Sequence, residues 1–260
     1  MVKVIAECSK NWLTKENISI KEALNNAQKL AYAAKETGSD ICKWQAHVSE
    51  DENLKRHTKR HSWIRLNETL TPVKGFWEPL RKFHDSIQLE MLVTPMSELA
   101  AIKVNDFVMR WKVASPDSLD FKLLSYLKST GKEIILSSGM TTKDNQMKAK
   151  EFLGTNYYML HCVSEYPLEV GKSSLGEMVF YDGLSDHTLS LITGALAIAY
   201  NPHYIEKHFT FNGWGKDANV SLNKEQMTEY VRNIREAELA YRIIERPTAV
   251  EKELLKDFWI

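Results

Sequence analysis

The 260-residue chain has no excess of charge of either sign: 34 lysines and arginines are matched by 34 aspartates and glutamates. That balance argues against a general nucleic-acid or anionic-membrane binder, while leaving room for a local basic pocket for a small anion. No apolar run is long enough to cross a bilayer, so no membrane partner is expected. The first residues, MVKVIAE, run straight into a strand pattern and lack the shape of a signal peptide. Cysteine is scarce. Cys8, Cys42 and Cys162 have no metal-binding spacing and lie in or beside strand patterns. Reduced, structural thiols in a cytoplasm are therefore expected, with no catalytic role. There is no internal repeat, low-complexity segment or Gly/Ser linker. One domain is the economical expectation, and this length suits a single (β/α)8 barrel.

Strand-like and helical runs alternate along the chain. Strands are expected at Val2–Glu7, Asp40–Gln45, Leu89–Thr94, Phe107–Ala114, Glu133–Ser138, Tyr157–Cys162, Gly183–Ser185 and His203–Lys207. Helical spacing appears at Ile20–Thr37, Pro72–Ser86, Ser97–Lys103, Leu119–Ser129, Thr142–Leu153, Leu189–Tyr200 and Leu222–Ile244, with one more short helix in the tail. Eight such alternations are the pattern of a parallel barrel: α/β, a (β/α)8 TIM barrel in a single domain. The least regular part is His47–Thr71, which is dense in charge and holds His47, His57 and His61. It reads as a solvated loop with a short helix, long enough after a strand to act as a lid.

In such a barrel, functional groups collect at the C-terminal ends of the strands. The polar residues fall there: Glu7 with Asn11, Lys43 with Gln45, Thr94, Lys112 with Ser115 and Asp117, and Ser137 to Gly139. His161 with Tyr166, Ser185 with His187, and Glu206 with His208 complete the rim. Alternation puts Lys43 and Gln45 on one side of their strand and Cys42 and Trp44 on the other. His187 and His208 close two parallel strands joined by a helix. One histidine there would be expected to pack or hydrogen-bond locally. Two imidazoles at matched strand ends, about 5 Å apart, can share a divalent ion. Two lysines, several hydroxyls and a Gly-containing turn can hold a phosphate and a carboxylate. A divalent ion can polarise a carbonyl oxygen, and a nearby acid can move protons. These groups together suit a small phosphorylated acid reacting at a carbonyl. A lysine Schiff-base aldolase using Lys43 or Lys112 is the rival chemistry, and a non-catalytic barrel that only binds its ligands is a third reading.

Specific segments sharpen this. They are IAE at Ile5–Glu7, DICKWQ at Asp40–Gln45, TP at Thr94–Pro95, WKVASPD at Trp111–Asp117 and ILSSGM at Ile135–Met140. LHCVSEYP at Leu160–Pro167, GLSDHT at Gly183–Thr188 and IEKHF at Ile205–Phe209 follow. In these segments and their order, up to about Ser221, the chain resembles the sialic acid synthases, the N-acetylneuraminate synthase family with its legionaminate, pseudaminate and spore-coat polysaccharide relatives.

The resemblance implies a (β/α)8 barrel that condenses phosphoenolpyruvate with an N-acylated aldose such as N-acetylmannosamine. The products would be a 2-keto-3-deoxy sugar acid and phosphate. It implies that His187 and His208 hold Mn2+ or Mg2+ against the sugar aldehyde, which carbon 3 of phosphoenolpyruvate attacks before water adds at carbon 2 and phosphate leaves. It assigns Lys43, Lys112, Ser115, Ser138, Gly139 and Ser185 to phosphoenolpyruvate, and Gln45, Thr94 and Tyr166 to the pocket lining. Asp217 and Ser221 fall to the sugar, and Asp117 and Glu7 to the reacting centre beside Lys112 and His187. Two local departures stand out. Only Asn11 remains of the family's N-H-N-G-like turn, here Asn11-Trp12-Leu13-Thr14, and Lys216 stands where the family has proline. Many family members also carry a C-terminal antifreeze-like domain whose arginine reaches the site of a second subunit and grips the N-acyl group. The sequence stops at Ile260. A homodimer is expected, with the sugar side of the pocket closed differently, supplied by a separate chain, or built for a different aldose.

Overall fold

The strand segments carry large and β-branched apolar residues on their outward faces, interrupted by inward polar residues near their ends. In a computed structural model, which describes residues 1–53, 61–242 and 248–258, they form β1 (Lys3–Ser9), β2 (Ile41–Ala46), β3 (Glu90–Pro95) and β4 (Arg110–Val113). β5 (Glu133–Ser137), β6 (Tyr157–Cys162), β7 (Gly183–Asp186) and β8 (Tyr204–His208) follow. All pair in parallel, in sequence order, and β8 closes on β1. The helices are α1 (Ile20–Glu36), α2 (Ser49–Asn53), α3 (His61–Leu70), α4 (Glu78–Ser86) and α5 (Glu98–Val104). They continue as α6 (Phe121–Ser129), α7 (Lys143–Leu153), α8 (Thr193–Ala197), α9 (Lys224–Ala240) and α10 (Ala249–Phe258). The expected (β/α)8 barrel is the fold.

Several boundaries move for local reasons. The Pro72–Ser86 helix opens with a wide π-type turn, Val73–Trp77, before α4. The long last helix starts later than expected because Asn223 and Gln226 form a reciprocal cap. Its expected end at Ile244 lies outside the described residues, as does His57. The largest change is at Leu189–Tyr200, expected to be one buried helix. Only α8 and a 3-10 turn, Ile198–Tyr200, are helical, and Leu189, Ile192 and Leu196 are about half exposed. Lys207 Nζ captures the carbonyls of Thr188 and Ser190 at 2.6 and 3.2 Å, which keeps the first residues of that run out of the helix. His47 is not solvated either: it is buried, 3.0 Å from Glu52 and edge-on to Trp63.

Strand alternation sorts the side chains into two shells. Outward residues such as Val4, Trp44, Val93, Trp111, Leu136 and Met159 pack against the helices. Inward residues stack in layers, as in other closed barrels. The middle layer is apolar: Ile5, Ile41, Leu92, Ile135 and Leu160. Toward the strand starts, Glu90, Arg110, Glu133 and Tyr204 form a charged lower layer. Toward the strand ends, Glu7, Lys43, Lys112, Ser185 and Glu206 form a charged upper layer.

Candidate functional site

The upper layer gathers most of the residues expected at the rim. Strand register does the gathering: Glu7 pairs with Lys43 on one side and His208 on the other, Gln45 with Thr94, and Ser185 with Glu206. Lys43 Nζ contacts the Glu7 carboxylate, donates to Thr94 Oγ1 at 2.9 Å and lies 3.6 Å from Glu206 Oε2. Lys112 Nζ donates to Ser137 Oγ at 2.5 Å and lies 3.8 Å from the same Glu206 oxygen. Ser185 Oγ donates to the other oxygen of Glu206 at 3.1 Å. Gln45 reaches Glu7 at 3.4 Å.

Burial and partners set the ionisation of this layer. Burial raises the Glu7 carboxyl to about 7, with Glu206 adding to the rise and Lys43 opposing it. Burial acts on Glu206 in the same direction, but Lys112 and Lys43 outweigh it and hold that carboxyl at about 2. The two carboxylates thus divide the labour: Glu206, facing two ammonium groups, stays anionic, and Glu7 is the one that can take up a proton. Burial lowers Lys112, whereas Lys43, also buried, is kept above its ordinary value by Glu206 and Glu7.

Past the strand ends, the chain supplies short polar turns. Ser115 and Asp117 sit buried in a 3-10 turn after β4. Ser138 and Gly139 follow β5. A Cβ on Gly139 would lie 2.3 Å from Ser164 Oγ and 2.7 Å from Ser115 Oγ, so only glycine lets these hydroxyl-bearing loops meet. Asp217 and Ser221 lie after β8 and stitch to the β1 loop. Ser9 Oγ donates to Asp217 at 2.5 Å, Lys10 lies 3.5 Å from it, and Asn11 Nδ2 donates to Ser221 Oγ at 3.0 Å. The hydroxyl of Ser221 is thus already engaged, donating in turn to the Asp217 carbonyl.

His187 and His208 come together as their matched positions suggested, with ring centroids 5.6 Å apart. Tyr166, half exposed, lies over His187 at 4.1 Å and edge-on to His208 at 5.9 Å. His187 Nδ1–H donates to the Val163 carbonyl at 2.7 Å, which fixes the ring and leaves Nε2 for another partner. His208 Nδ1 is buried and makes no hydrogen bond. Burial and the neighbouring His187 push its imidazole down to about 3, so it is neutral, the form that ligates metals. Among the described residues, no three His, Cys, Asp or Glu side chains group closely enough to hold a metal alone. The pair fits a divalent ion that takes two imidazole nitrogens and completes its shell with oxygens from water or substrate, an open arrangement suited to catalysis.

His161 is the exception among the expected rim residues. It faces the outer shell, donating to the Ser173 carbonyl at 2.8 Å and packing on Tyr181. Glu206 was visible at the rim but carried no assigned role. Its place two residues before His208, on the inward face, is the signal that marks it.

A closed parallel barrel with two lysines, two carboxylates and two histidines at its C-terminal rim is a (β/α)8 barrel with its polar groups at the end where such barrels carry their sites. More narrowly, the chain belongs to the NeuB family, whose profile matches residues 30–245. It is 29% identical over 222 residues to an uncharacterized protein of Methanocaldococcus jannaschii, covering 80% of this chain and 65% of that protein. It is 27% identical over 255 residues to the N-acetylneuraminate-9-phosphate synthase of Homo sapiens, covering 89% and 69%. The chain therefore spans about two thirds of the length of these curated relatives. Its fold superposes with a TM-score of 0.84 on the N-acetylneuraminic acid (sialic acid) synthetase of Leptospira borgpetersenii, at 22% identity, covering 98% of this chain and 90% of that one.

Proposed function

We propose that this chain condenses phosphoenolpyruvate with an N-acylated aldose of the N-acetylmannosamine kind, giving a 2-keto-3-deoxy sugar acid and inorganic phosphate. The observation that carries the reading is the upper layer: two buried ammonium groups and several hydroxyls on one side of the barrel mouth, facing two imidazoles on the other. Lys43 and Lys112 supply the charge for a phosphate and a carboxylate, and Ser115, Ser138, Ser185 and the narrow turn at Gly139 supply neutral donors. Glu206 favours the charged form of both ammonium groups, opposing the burial that lowers Lys112. Glu7 and Asp117 are the carboxyl groups near the reacting atoms, and Glu7 is the one able to exchange a proton near neutrality. Tyr166, Gln45 and Thr94 bound the pocket, and Asp217 and Ser221 lie on the side left for the sugar. His187 and His208 would hold Mn2+ or Mg2+, which when bound supplies Lewis-acid polarisation of the aldehyde oxygen.

The test is incubation with phosphoenolpyruvate, Mn2+ and a panel of aldoses including N-acetylmannosamine, reading phosphate release and product mass. Release with a mass equal to aldose plus a pyruvate-derived acid supports the reading. Phosphate release that needs no aldose, or a borohydride-trapped pyruvate adduct on Lys43 or Lys112, overturns it in favour of other chemistry.

A further inference from the structure

On the outer side of β7 and β8, directly behind the two histidines, lies a charge pair that faces away from the barrel mouth. Asp186 and Lys207 are cross-strand partners in the last rung of the β7–β8 ladder. Both are buried, with Nζ 2.7 Å from Oδ2. A buried ion pair there stabilises less than well-packed hydrocarbon would.

Everything around the pair is built to satisfy it. Asp186 Oδ2 also accepts from Tyr230 of α9 at 2.9 Å and from Thr193 of α8 at 2.5 Å. Asp186 Oδ1 accepts from the backbone N–H and the hydroxyl of Thr188 at 2.9 and 2.8 Å. Lys207 Nζ donates to the carbonyls of Thr188 and Ser190 and lies over the Tyr230 ring at 4.7 Å. Gly194 makes room for this: a Cβ there would lie 2.5 Å from the Tyr230 hydroxyl.

The placement along the chain points to a purpose. Asp186 precedes His187 and Thr188 follows it, and both are tied to one ammonium group. Lys207 immediately precedes His208. The β7–β8 ladder ends at this rung; beyond it the His187 carbonyl accepts from the Leu168 N–H at 2.9 Å, and nothing further in that ladder ties His187 to β8. A slip of one residue between β7 and β8 would turn the inward set outward.

We propose that the Asp186–Lys207 pair positions the His187–His208 pair, holding the backbone on both sides of His187 and fixing the β7–β8 register one residue before each ring. For metal affinity the inference rests on the two histidines being metal ligands. For the orientation of the His187 ring it does not.

The experiment compares full-length wild type with Lys207→Met, with Lys207→Arg, and with Leu127→Ala, which opens a cavity under α6 away from β7 and β8. Three quantities are read: thermal midpoint, Mn2+ affinity from the electron paramagnetic resonance of free Mn2+, and the side-chain 15N–1H signal of His187 Nδ1–H without metal. Lys207→Met is expected to weaken Mn2+ at least tenfold and to broaden the His187 signal. Lys207→Arg should restore part of both, and Leu127→Ala should lower the midpoint with neither effect. Wild-type affinity and wild-type signal in Lys207→Met, whatever its midpoint, would overturn the inference and leave the pair a stabilising one. Should wild type bind no Mn2+, the metal reading falls, and the His187 signal alone decides positioning. Where Lys207→Met does not fold, Tyr230→Phe removes one bond to Asp186 and keeps both charges. A shifted His187 signal then supports the inference and an unmoved one sinks it.

Discussion

At the lower end of the barrel, Arg110 lies between Glu90 and Glu133 at 2.5 and 2.7 Å, and Tyr204 bridges to Glu133 at 2.6 Å. At the upper end, the nearest ammonium groups stand 3.6 and 3.8 Å from Glu206 Oε2, which makes no hydrogen bond, and His208 Nδ1 makes none either. The two layers use similar residues within one barrel. In the lower one Arg110 lies directly against both of its carboxylates. In the upper one Lys43 touches Glu7, but Glu206 is shared between two lysines at longer range and His208 Nδ1 is left without a partner, as a ligand site requires. The cavity of about 630 Å3, lined by Lys3, Arg110, Glu133, Tyr158 and His203, lies at the lower end. The presence of a cavity therefore does not by itself distinguish the two ends.

Removing one cation from each end breaks the comparison most directly. Lys112→Met at the upper end should lower kcat/KM for the proposed condensation about 1000-fold, the order seen when a preorganised charge-stabilising donor is lost. The chain should stay folded, because Lys43 still faces Glu206 and burial already disfavours the Lys112 charge. Steady-state kinetics beside a thermal melt measures both. Arg110→Met at the lower end should do the reverse. It leaves two carboxylates side by side and should cost about 3 kcal/mol of stability. The kcat of the folded fraction should hold at the wild-type value. An inactive but stable Arg110 variant would contradict the division between the layers.

A third test separates both ends from the shell around them. His84 of α4 accepts from Trp44 Nε1 at 3.1 Å and donates from Nδ1 to the Leu89 carbonyl at 3.0 Å, so only the neutral ring satisfies both bonds. Burial lowers it from 6.5 to about 4. Above pH 6.5 the ring is neutral in folded and unfolded chains alike, and its contribution is complete. Between 6.5 and about 4 the unfolded chain binds the proton and the folded one does not, so stability falls with falling pH. The full loss is about 3 kcal/mol. Denaturant melts from pH 7 to 4, wild type against His84→Gln, should show that slope in wild type and a shallower one in the variant. Equal slopes would remove His84 from the account.

Much of this layout was legible in the chain. Apolar strand runs separated by helical spacing give the barrel, and period-two alternation from Lys43 or His208 gives the inward set. What escaped has physical causes. Leu189–Tyr200 has helical composition, but a buried ammonium group takes its first carbonyls. His161 and Leu160 are neighbours, and only knowing which one lines the apolar middle layer decides which way each faces. His84 offers no local pattern at all, since its partner Trp44 is forty residues away.

The smallest effect probes the open layer without changing its charge. Thr94→Val removes the hydroxyl that accepts from Lys43 Nζ at 2.9 Å and keeps the side-chain shape. The lost hydrogen bond involves a charged donor, but Glu7 and Glu206 still surround that ammonium group, so the net cost should be about 1 kcal/mol. If Lys43 holds phosphoenolpyruvate, its KM should rise about fivefold, with kcat and the aldose KM nearly constant. A fall in kcat alone would move Lys43 from binding to chemistry, and would favour the Schiff-base reading over the anion-binding one. No change in either would mean that the carboxylates suffice to hold Lys43, making the upper layer more like the lower one than its longer distances suggest.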